Sequence, residues 1–247
     1  MNADYQKIRE DLAALGLSQG DSVLVHSSYK SMGGLEGGIQ TFVEALLSVV
    51  GDTGTLIVPT LTFVEVSETN RVFDYLRSPS CVGAISEFVR QMDGAKRSIN
   101  PTHSCAAIGY KRDWFVGSHQ LDRTPVGPNS PIWKLHEEGG KVLMLGCRLF
   151  PNTSMHGVEE LSRPWYLMKP ERTTFRLLDE NGNETVKAYE CHNFKHAIQR
   201  YDRLAQVMDI PWGKVLNADC YLIDAKQMWK AGHEKLMEDP DFFIDRR

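Results

Sequence analysis

The chain has 247 residues, of which 42% are hydrophobic and 24% charged, and its formal net charge is −4. This composition is typical of a globular protein with a sizeable core and excludes a disordered or fibrous chain. The slight acidity offers no basic surface for nucleic acid, and no apolar run is long enough to cross a bilayer. The N-terminal segment is charged throughout and has no apolar signal core, which predicts a cytoplasmic protein.

The cysteines and histidines show no pattern of a disulfide framework or a metal site. The five cysteines are odd in number, widely spread and without a CxxC pair: Cys81, Cys105, Cys147, Cys191 and Cys220. None of the eight histidines belongs to an HExxH motif, and only Cys191 and His192 are adjacent. We therefore expect reduced thiols and no bound metal.

The first part of the chain has the pattern of a βαβ unit. Apolar residues at helical spacing predict a helix over residues 5–15, ending at Gly16. An apolar strand over Ser22–His26, a glycine-rich loop and a helix over residues 39–50 follow. The segment TLIVP predicts a second strand ending at Pro59. This order indicates a mainly parallel sheet.

The later segments predict further helices and strands around a long excursion. Residues 60–80 lack clear periodicity, and loops of that length are often functional. The other predicted elements are a helix over 83–92, a strand over 106–108, a helix from Pro131, a strand over 141–146, a hairpin of 173–178 with 185–189, a helix over 194–208 and a last helix near 224–238. We expect one interwoven domain over residues 1–247, with an N-terminal α/β part to about 163 and a C-terminal α+β part from about 164.

The loop after the first strand, SSYKSMGGLEGG, has the composition of a phosphate-binding loop. Glycines let backbone N–H groups approach a ligand, and the N-terminus of a helix attracts an anion. The spacing is neither that of GxGxxG nor that of a P-loop. A tight strand-to-helix connection would need the same glycines, so the loop alone leaves both interpretations open.

The segment LGCRLFPNTSMHGVEE is the most suggestive for catalysis. A buried strand ends, a polar turn follows, and His156 precedes Glu159 by three residues, which places both on one helix face. A carboxylate beside a histidine fixes its tautomer and raises its basicity, as a general base requires. Sites in α/β proteins gather beyond the carboxyl ends of strands, where His156 is expected. The alternative is a capping histidine on a solvated acidic face.

Several segments, in this order and spacing, resemble the aminoglycoside 3-N-acetyltransferase family, the antibiotic N-acetyltransferases that use acetyl-CoA. The matching stretches cover nearly the whole chain: DSVLVHSSYKSMGGLEGG, GTLIVPTLTF, HSCAAIG, TPVGPNSPIWKL, KVLMLG, NTSMHGVEE, GKVLNADCYLIDAKQMW and EDPDFF. The resemblance implies a three-layer α/β/α fold with a mixed, largely parallel central sheet and an antiparallel hairpin insertion in the C-terminal part.

The resemblance also implies roles for individual residues. His156 is the general base. Glu190, in VKAYECHNF, is the nearest match to a family carboxylate and is expected to orient His156 or hold the substrate, with Glu159 as the competing local partner. The implied coenzyme A site comprises His26, Ser27, Ser28, Ser31, Gly33 and Gly34 together with His103 and Ser104, and Thr124 and Ser130 are expected near the pantetheine or the acceptor entrance.

The implied reaction is acetyl transfer from acetyl-CoA to the 3-amino group of the 2-deoxystreptamine ring of an aminoglycoside, by a monomer or homodimer and without a covalent acyl-enzyme. The sequence departs from the family after Glu190, where CHNF replaces acidic residues that suit a polycation, although Glu65 and Glu68 offer carboxylates. Three alternatives stay open. They are acetylation of another amine, such as an amino sugar or a biosynthetic intermediate, coenzyme A binding without catalysis, and a hydrolase built on His156 and Glu159.

Overall fold

The computed structural model describes residues 2–67 and 69–247, and these form seven α-helices and twelve β-strands. The helices are α1 (Ala3–Leu15), α2 (Gly38–Val50), α3 (Ala84–Gln91), α4 (Arg112–Val116), α5 (Pro131–Glu138), α6 (Ser154–Ser162) and α7 (Ala225–Glu238). The strands are β1 (Ser22–Ser27), β2 (Thr55–Pro59), β3 (Val72–Asp74), β4 (Lys96–Arg97), β5 (Cys105–Gly109), β6 (Lys141–Leu145), β7 (Thr173–Leu178), β8 (Glu184–Tyr189), β9 (Ala197–Gln199), β10 (Trp212–Val215), β11 (Ala218–Asp224) and β12 (Ile244–Arg246).

Local signals in the sequence set the helix boundaries. Gly16 ends α1 in the left-handed conformation with φ 108°, which favours glycine. The Ser130 side chain accepts a hydrogen bond from the Trp133 N–H at the start of α5, and Asp224 caps α7 in the same way. Both caps satisfy backbone donors that have no partner within the helix.

The central sheet has seven strands in the order β10-β11-β6-β1-β2-β5-β4. The β1 strand pairs in parallel with β2 and β6, and the outer pairings are antiparallel. Alternate residues of β1 face opposite cores: Val23 and Val25 pack with α1, α2 and α3, whereas Leu24 packs with α4 to α7. The predicted three-layer fold around a mixed sheet is confirmed.

The predicted hairpin is confirmed, because β7 pairs antiparallel with β8 and β3 joins them as a third strand. The predicted helix over 194–208 is wrong. Ala197–Gln199 forms β9, which pairs with β12 near the end of the chain, and a 3-10 helix over Tyr201–Gln206 follows. Tyr201 and Leu204 are both buried, and their spacing is that of an apolar helix face, which is why a longer helix was predicted. The segment before them instead forms a strand, because it pairs with a strand remote in sequence.

The strand directions create one edge at which polar residues can meet. Parallel strands place their carboxyl ends together, so the ends of β1, β2 and β6 share an edge. The β5 strand runs the other way, with Cys105 opposite Pro59, so the turn before β5 lies at the same edge. No helix in the described ranges is long and apolar enough to cross a membrane.

Candidate active site

A cavity of about 740 Å³ lies at this edge of the sheet. The β1 strand contributes His26 to its wall, the turn before β5 contributes His103, and the start of α6 contributes Thr153 and His156. Residues of the 60–82 excursion, of β7 and of the 191–201 segment also line it. The topology therefore brings together segments that are far apart in the sequence.

His26 connects the end of β1 to the start of α6. Its Nε2 accepts a hydrogen bond from the Thr153 backbone N–H at 2.9 Å, and the Thr153 hydroxyl lies 2.7 Å from the same atom. Because a backbone N–H can only donate, Nε2 is unprotonated and the ring proton is on Nδ1. Burial lowers the pKa of His26 to about 3, so the ring is neutral at physiological pH.

A close approach between α6 and α7 positions the catalytic candidate. Gly157 follows His156, and a Cβ atom at this glycine would lie 2.3 Å from the Trp229 ring. Only glycine therefore lets the two helices pack at this distance. The Trp229 indole N–H also donates to the Ser154 hydroxyl at 3.1 Å, which fixes the first turn of α6 against α7.

His156 is held by a buried carboxylate and a tyrosine. Its Nδ1 lies 3.3 Å from Glu159 Oε2 and 2.9 Å from the Tyr201 hydroxyl oxygen. The Tyr201 hydroxyl donates to Glu159 Oε2 at 2.8 Å, and the Tyr166 hydroxyl donates to Glu159 Oε1 at 2.8 Å. Since the Tyr201 proton is directed to the carboxylate, its oxygen accepts the Nδ1–H of His156. This arrangement leaves Nε2 with a lone pair, as a general base needs.

The surroundings of His156 favour its neutral form. Burial lowers the pKa of His156 below its usual value, and the hydrogen bond to Glu159 raises it in part. Burial also raises the pKa of Tyr201 well above its usual range, so its hydroxyl keeps its proton. The imidazole is thus ready to accept a proton near neutral pH.

Replacing Tyr201 with Phe should lower kcat roughly tenfold while leaving the KM for acetyl-CoA nearly unchanged. The direct contact between His156 and Glu159 is long at 3.3 Å, so Tyr201 carries much of the coupling between them. Steady-state kinetics would measure this effect, and thermal unfolding would report the cost of losing a hydrogen bond to Glu159. A kcat equal to that of the wild type would show that the direct contact suffices.

Three histidine rings meet on one side of the cavity. The ring centroids of His103 and His156 are 5.5 Å apart, those of His103 and His192 are 5.0 Å apart, and those of His156 and His192 are 5.2 Å apart. Burial lowers the pKa of His103 well below its usual value, helped by the two neighbouring rings. No group of His, Cys, Asp and Glu within residues 2–67 and 69–247 is arranged to hold a metal ion.

The predicted coenzyme A residues divide into two groups. His26, Ser27 and His103 line the cavity, whereas Ser28, Ser31, Gly33 and Gly34 belong to the β1–α2 connection beside it. Within that connection the Ser31 hydroxyl donates to the Ser28 carbonyl at 2.6 Å, and Gly33 has φ 90°. These residues are placed where a loop could receive a ligand, and their role stays a prediction.

Three further predicted residues are structural in the geometry observed. Ser104 is fully buried and lies 3.0 Å from the hydroxyl of Thr60, and Ser130 is the N-cap of α5. Thr124 accepts a hydrogen bond at its backbone oxygen from the Asn100 side chain. None of Ser104, Thr124 and Ser130 is among the described residues that line the cavity, and their expected place at the coenzyme site or near the acceptor entrance stays a prediction.

The carboxylate in contact with His156 is Glu159 and not Glu190. Glu190 lies 3.2 Å from Arg163 and 2.9 Å from Arg172, and its side chain is 29% exposed. The two guanidinium groups hold it away from the imidazole and lower its pKa. Glu190 therefore does not contact His156 in this structure, and the alternative expectation that it holds the substrate stays a prediction.

The site also contains residues that the sequence did not indicate. Tyr201 and Tyr166 complete the contacts of Glu159, and Glu160 bonds to His192. No local motif marks the tyrosines: Tyr166 lies in the turn just after α6, and Tyr201 comes from a segment 42 residues beyond Glu159. Glu160 had a signal in the sequence, namely its place directly after Glu159 on the same helix.

Comparison with known proteins identifies the family of this chain. The family model described as aminoglycoside 3-N-acetyltransferase matches residues 24–237. The chain belongs to the aminoglycoside 3-N-acetyltransferase family. The resemblance found in the sequence is thus confirmed, and the chain is an acyltransferase of this type.

Individual relatives span most of both sequences. The chain is 33% identical to aminoglycoside N(3)-acetyltransferase III from Salmonella sp, in an alignment that covers 90% of this chain and 87% of the relative. It is 30% identical to aminoglycoside N(3)-acetyltransferase IX from Micromonospora chalcea, in an alignment that covers 89% of this chain and 88% of the relative.

Solved structures share the fold. The AAC-IIIb binary complex with CoASH has a TM-score of 0.82 at 30% identity and covers 95% of this chain and 96% of its own. A histidine-to-alanine mutant of aminoglycoside acetyltransferase AAC(3)-IVa in complex with a gentamicin has a TM-score of 0.83 at 26% identity, covering 97% and 90%.

Proposed function

We propose that this chain moves the acetyl group of acetyl-CoA to an aminoglycoside, at the 3-amino group of the 2-deoxystreptamine ring, with His156 as the general base. The observation that carries the proposal is the contact of His156 Nδ1 with Tyr201 and Glu159 at the wall of the cavity. The names of the relatives support the substrates, and a CoASH complex among the solved neighbours supports acetyl-CoA as co-substrate.

The reaction needs a base because the attacking nitrogen of a neutral amine must lose a proton as the amide forms. His156 Nε2 takes a proton from the amine as the C–N bond forms, and the positive charge that develops on the ring is stabilised by Glu159. As the C–S bond breaks, the imidazolium returns that proton to the departing thiolate. We expect donors from the end of β1, where Ser27 lines the cavity, and from the loop that follows to stabilise the oxyanion.

A direct transfer suits the cysteines of this chain. Cys147 lines the cavity, but burial raises its pKa to about 12, so it is a thiol at neutral pH and a weak nucleophile. Holding both substrates in line lowers the barrier without a covalent intermediate. We therefore expect the acetyl group to pass directly from sulfur to nitrogen through a tetrahedral intermediate, without an acyl-enzyme at Cys147.

A panel of amines tests this proposal. The enzyme would be incubated with acetyl-CoA and each acceptor, release of the coenzyme thiol would be followed, and the acetylated nitrogen would be located by NMR. Acetylation at the 3-amino group of kanamycin-like or gentamicin-like acceptors is the expected result. Tight binding of coenzyme A without turnover of any amine would instead indicate a binding protein without catalysis.

The lining of the cavity favours a second candidate, acetylation of an amine that carries fewer charges, such as an amino sugar or a biosynthetic intermediate. Among the described residues that line the cavity none is Asp or Glu, and Phe63, Val66 and Phe175 present apolar surface. Glu65 is exposed on the excursion, and Glu68 lies outside the described residues. Since a polycation gains affinity from carboxylates, the same panel should include mono-amines with an apolar portion.

A further inference from the structure

A second pair of histidine and carboxylate lies beside the first. His192 Nε2 is 2.8 Å from Glu160 Oε1, and the Val126 backbone N–H donates to the same oxygen at 2.7 Å. The side chains of His192 and Glu160 are only 4% and 3% exposed. Glu159 and Glu160 are consecutive residues of α6. One turn of this helix therefore supplies a carboxylate to each of two neighbouring imidazoles.

The hydrogen bonds fix the tautomer of His192. Glu160 Oε1 accepts from a backbone N–H and is therefore an acceptor, so His192 Nε2 must carry the proton that points to it. The lone pair of the neutral ring is then on Nδ1. This Nδ1 is enclosed and has no hydrogen-bond partner within the described residues, while the ring lines the cavity. A buried acceptor without a partner is unfavourable, and a hydrogen-bond donor on a ligand would relieve that cost.

The chemistry of acetyl transfer requires two proton losses at the acceptor nitrogen. An ammonium must first become an amine, and the amine must lose a second proton as the amide forms. His156 serves the second step and passes that proton to the thiolate. The first proton needs another base close to the same nitrogen, or else the enzyme must wait for the small neutral fraction of the amine in solution.

We propose that the His192–Glu160 pair is a second base, which takes the first proton from the acceptor ammonium and delivers the neutral amine to His156. This inference rests on the proposed acetyl transfer and goes further, because it assigns the acceptor as an amine that binds in its protonated form. Because His192 Nδ1 is enclosed in this structure, the bound acceptor must first displace the atoms that cover it; the proton then moves from nitrogen to Nδ1 and leaves to solvent when the product departs. Glu160 stabilises the imidazolium in between.

The groups around His192 are consistent with two bases that act one after the other. The titratable groups in direct contact with His192 are His103, from the turn before β5, and His156 and Glu160, from α6. Glu159 and Tyr201 lie behind His156, and Asp122 lies beyond Glu160. Lys169 lines the same cavity. A positive charge on His192 disfavours a second one on His156 and lowers its pKa. The two rings are thus coupled, and the carboxylates Glu159 and Glu160 offset the repulsion when His156 takes its proton in the second step.

The variant His192→Gln tests the proposal. Its side-chain amide retains a donor for Glu160 and fills similar space, but it has no titratable atom. Two acceptors would be compared, the best amine of the panel and an analogue with fluorine β to the same nitrogen, which lowers the amine pKa below the assay pH. The exposed His196→Gln is the matched control, because His196 lies outside the residues that line the cavity.

For the ordinary amine near neutral pH, His192→Gln should lower kcat/KM roughly 10²-fold, and the loss should shrink as the pH approaches the amine pKa. For the fluorinated amine, the variant should stay within about threefold of the wild type. An equal loss with both acceptors at every pH would overturn the proposal and assign His192 to packing alone. Wild-type turnover of both acceptors in His192→Gln would overturn it as well.

These outcomes are distinct from failure of the acetyl transfer itself. If the wild type acetylates neither acceptor, the proposed function fails. If the wild type turns over, His156→Ala does not, and His192→Gln is unchanged, only the second base is rejected.

Discussion

His156→Ala should fold normally and lose most acetyl transfer, with kcat falling roughly 10²–10⁴-fold. The imidazole is the only group in contact with Glu159 that offers an unprotonated ring nitrogen to the cavity, among the residues that the structure describes. Without it, an amine must attack the thioester with no group to receive its proton. The residual rate would come from holding the two substrates in line.

Coenzyme release under saturating acetyl-CoA and acceptor would measure the loss, and calorimetric binding of coenzyme A would show whether the site is intact. The exposed His196→Ala is a control for removing an imidazole elsewhere. Coenzyme affinity should be close to that of the wild type in both variants. Full activity of His156→Ala would remove the central assignment and leave the family membership without this mechanism.

The sequence was sufficient for the part of the site that lies within one segment. His156 and Glu159 are three residues apart on one helix, so their contact follows from helical geometry. The position of α6 after β6 was also predictable, because the βαβ pattern places the ends of parallel strands at one edge. These inferences needed only local periodicity and the order of elements.

Contacts between remote segments were beyond the reach of local patterns. Glu190 was expected beside His156, but Arg163 and Arg172 attract it to the surface, and no spacing rule reveals that competition. Tyr201 was assigned to a helix over 194–208, whereas pairing between β9 and β12 shapes its segment and turns it toward Glu159. The positions of Glu190 and Tyr201 therefore depend on ion pairs with arginines and on the pairing of distant strands, which local sequence patterns do not reveal.

Glu159→Gln should reduce kcat roughly 10²–10⁴-fold, a loss similar to that of His156→Ala, with little change in coenzyme binding. Tyr166 and Tyr201 each donate to a different oxygen of Glu159, and the Tyr201 oxygen in turn accepts the Nδ1–H of His156. A glutamine has one carbonyl oxygen, so its NH₂ would face a donor. The conflict is relieved if His156 moves its proton to Nε2, and that tautomer cannot act as a base toward the cavity.

Glu190→Gln provides the matched comparison, because it makes the same chemical change at a side chain that is 29% exposed and lies between two arginines. Its kcat should stay within about threefold of the wild type, since exposed ion pairs contribute little. The pH dependence of kcat, measured for both variants, would show which carboxylate acts with His156. The ionisation of the general base should disappear from the profile only in Glu159→Gln. A larger loss in Glu190→Gln would mean that the acceptor, once bound, draws Glu190 away from Arg163 and Arg172 and into the reaction.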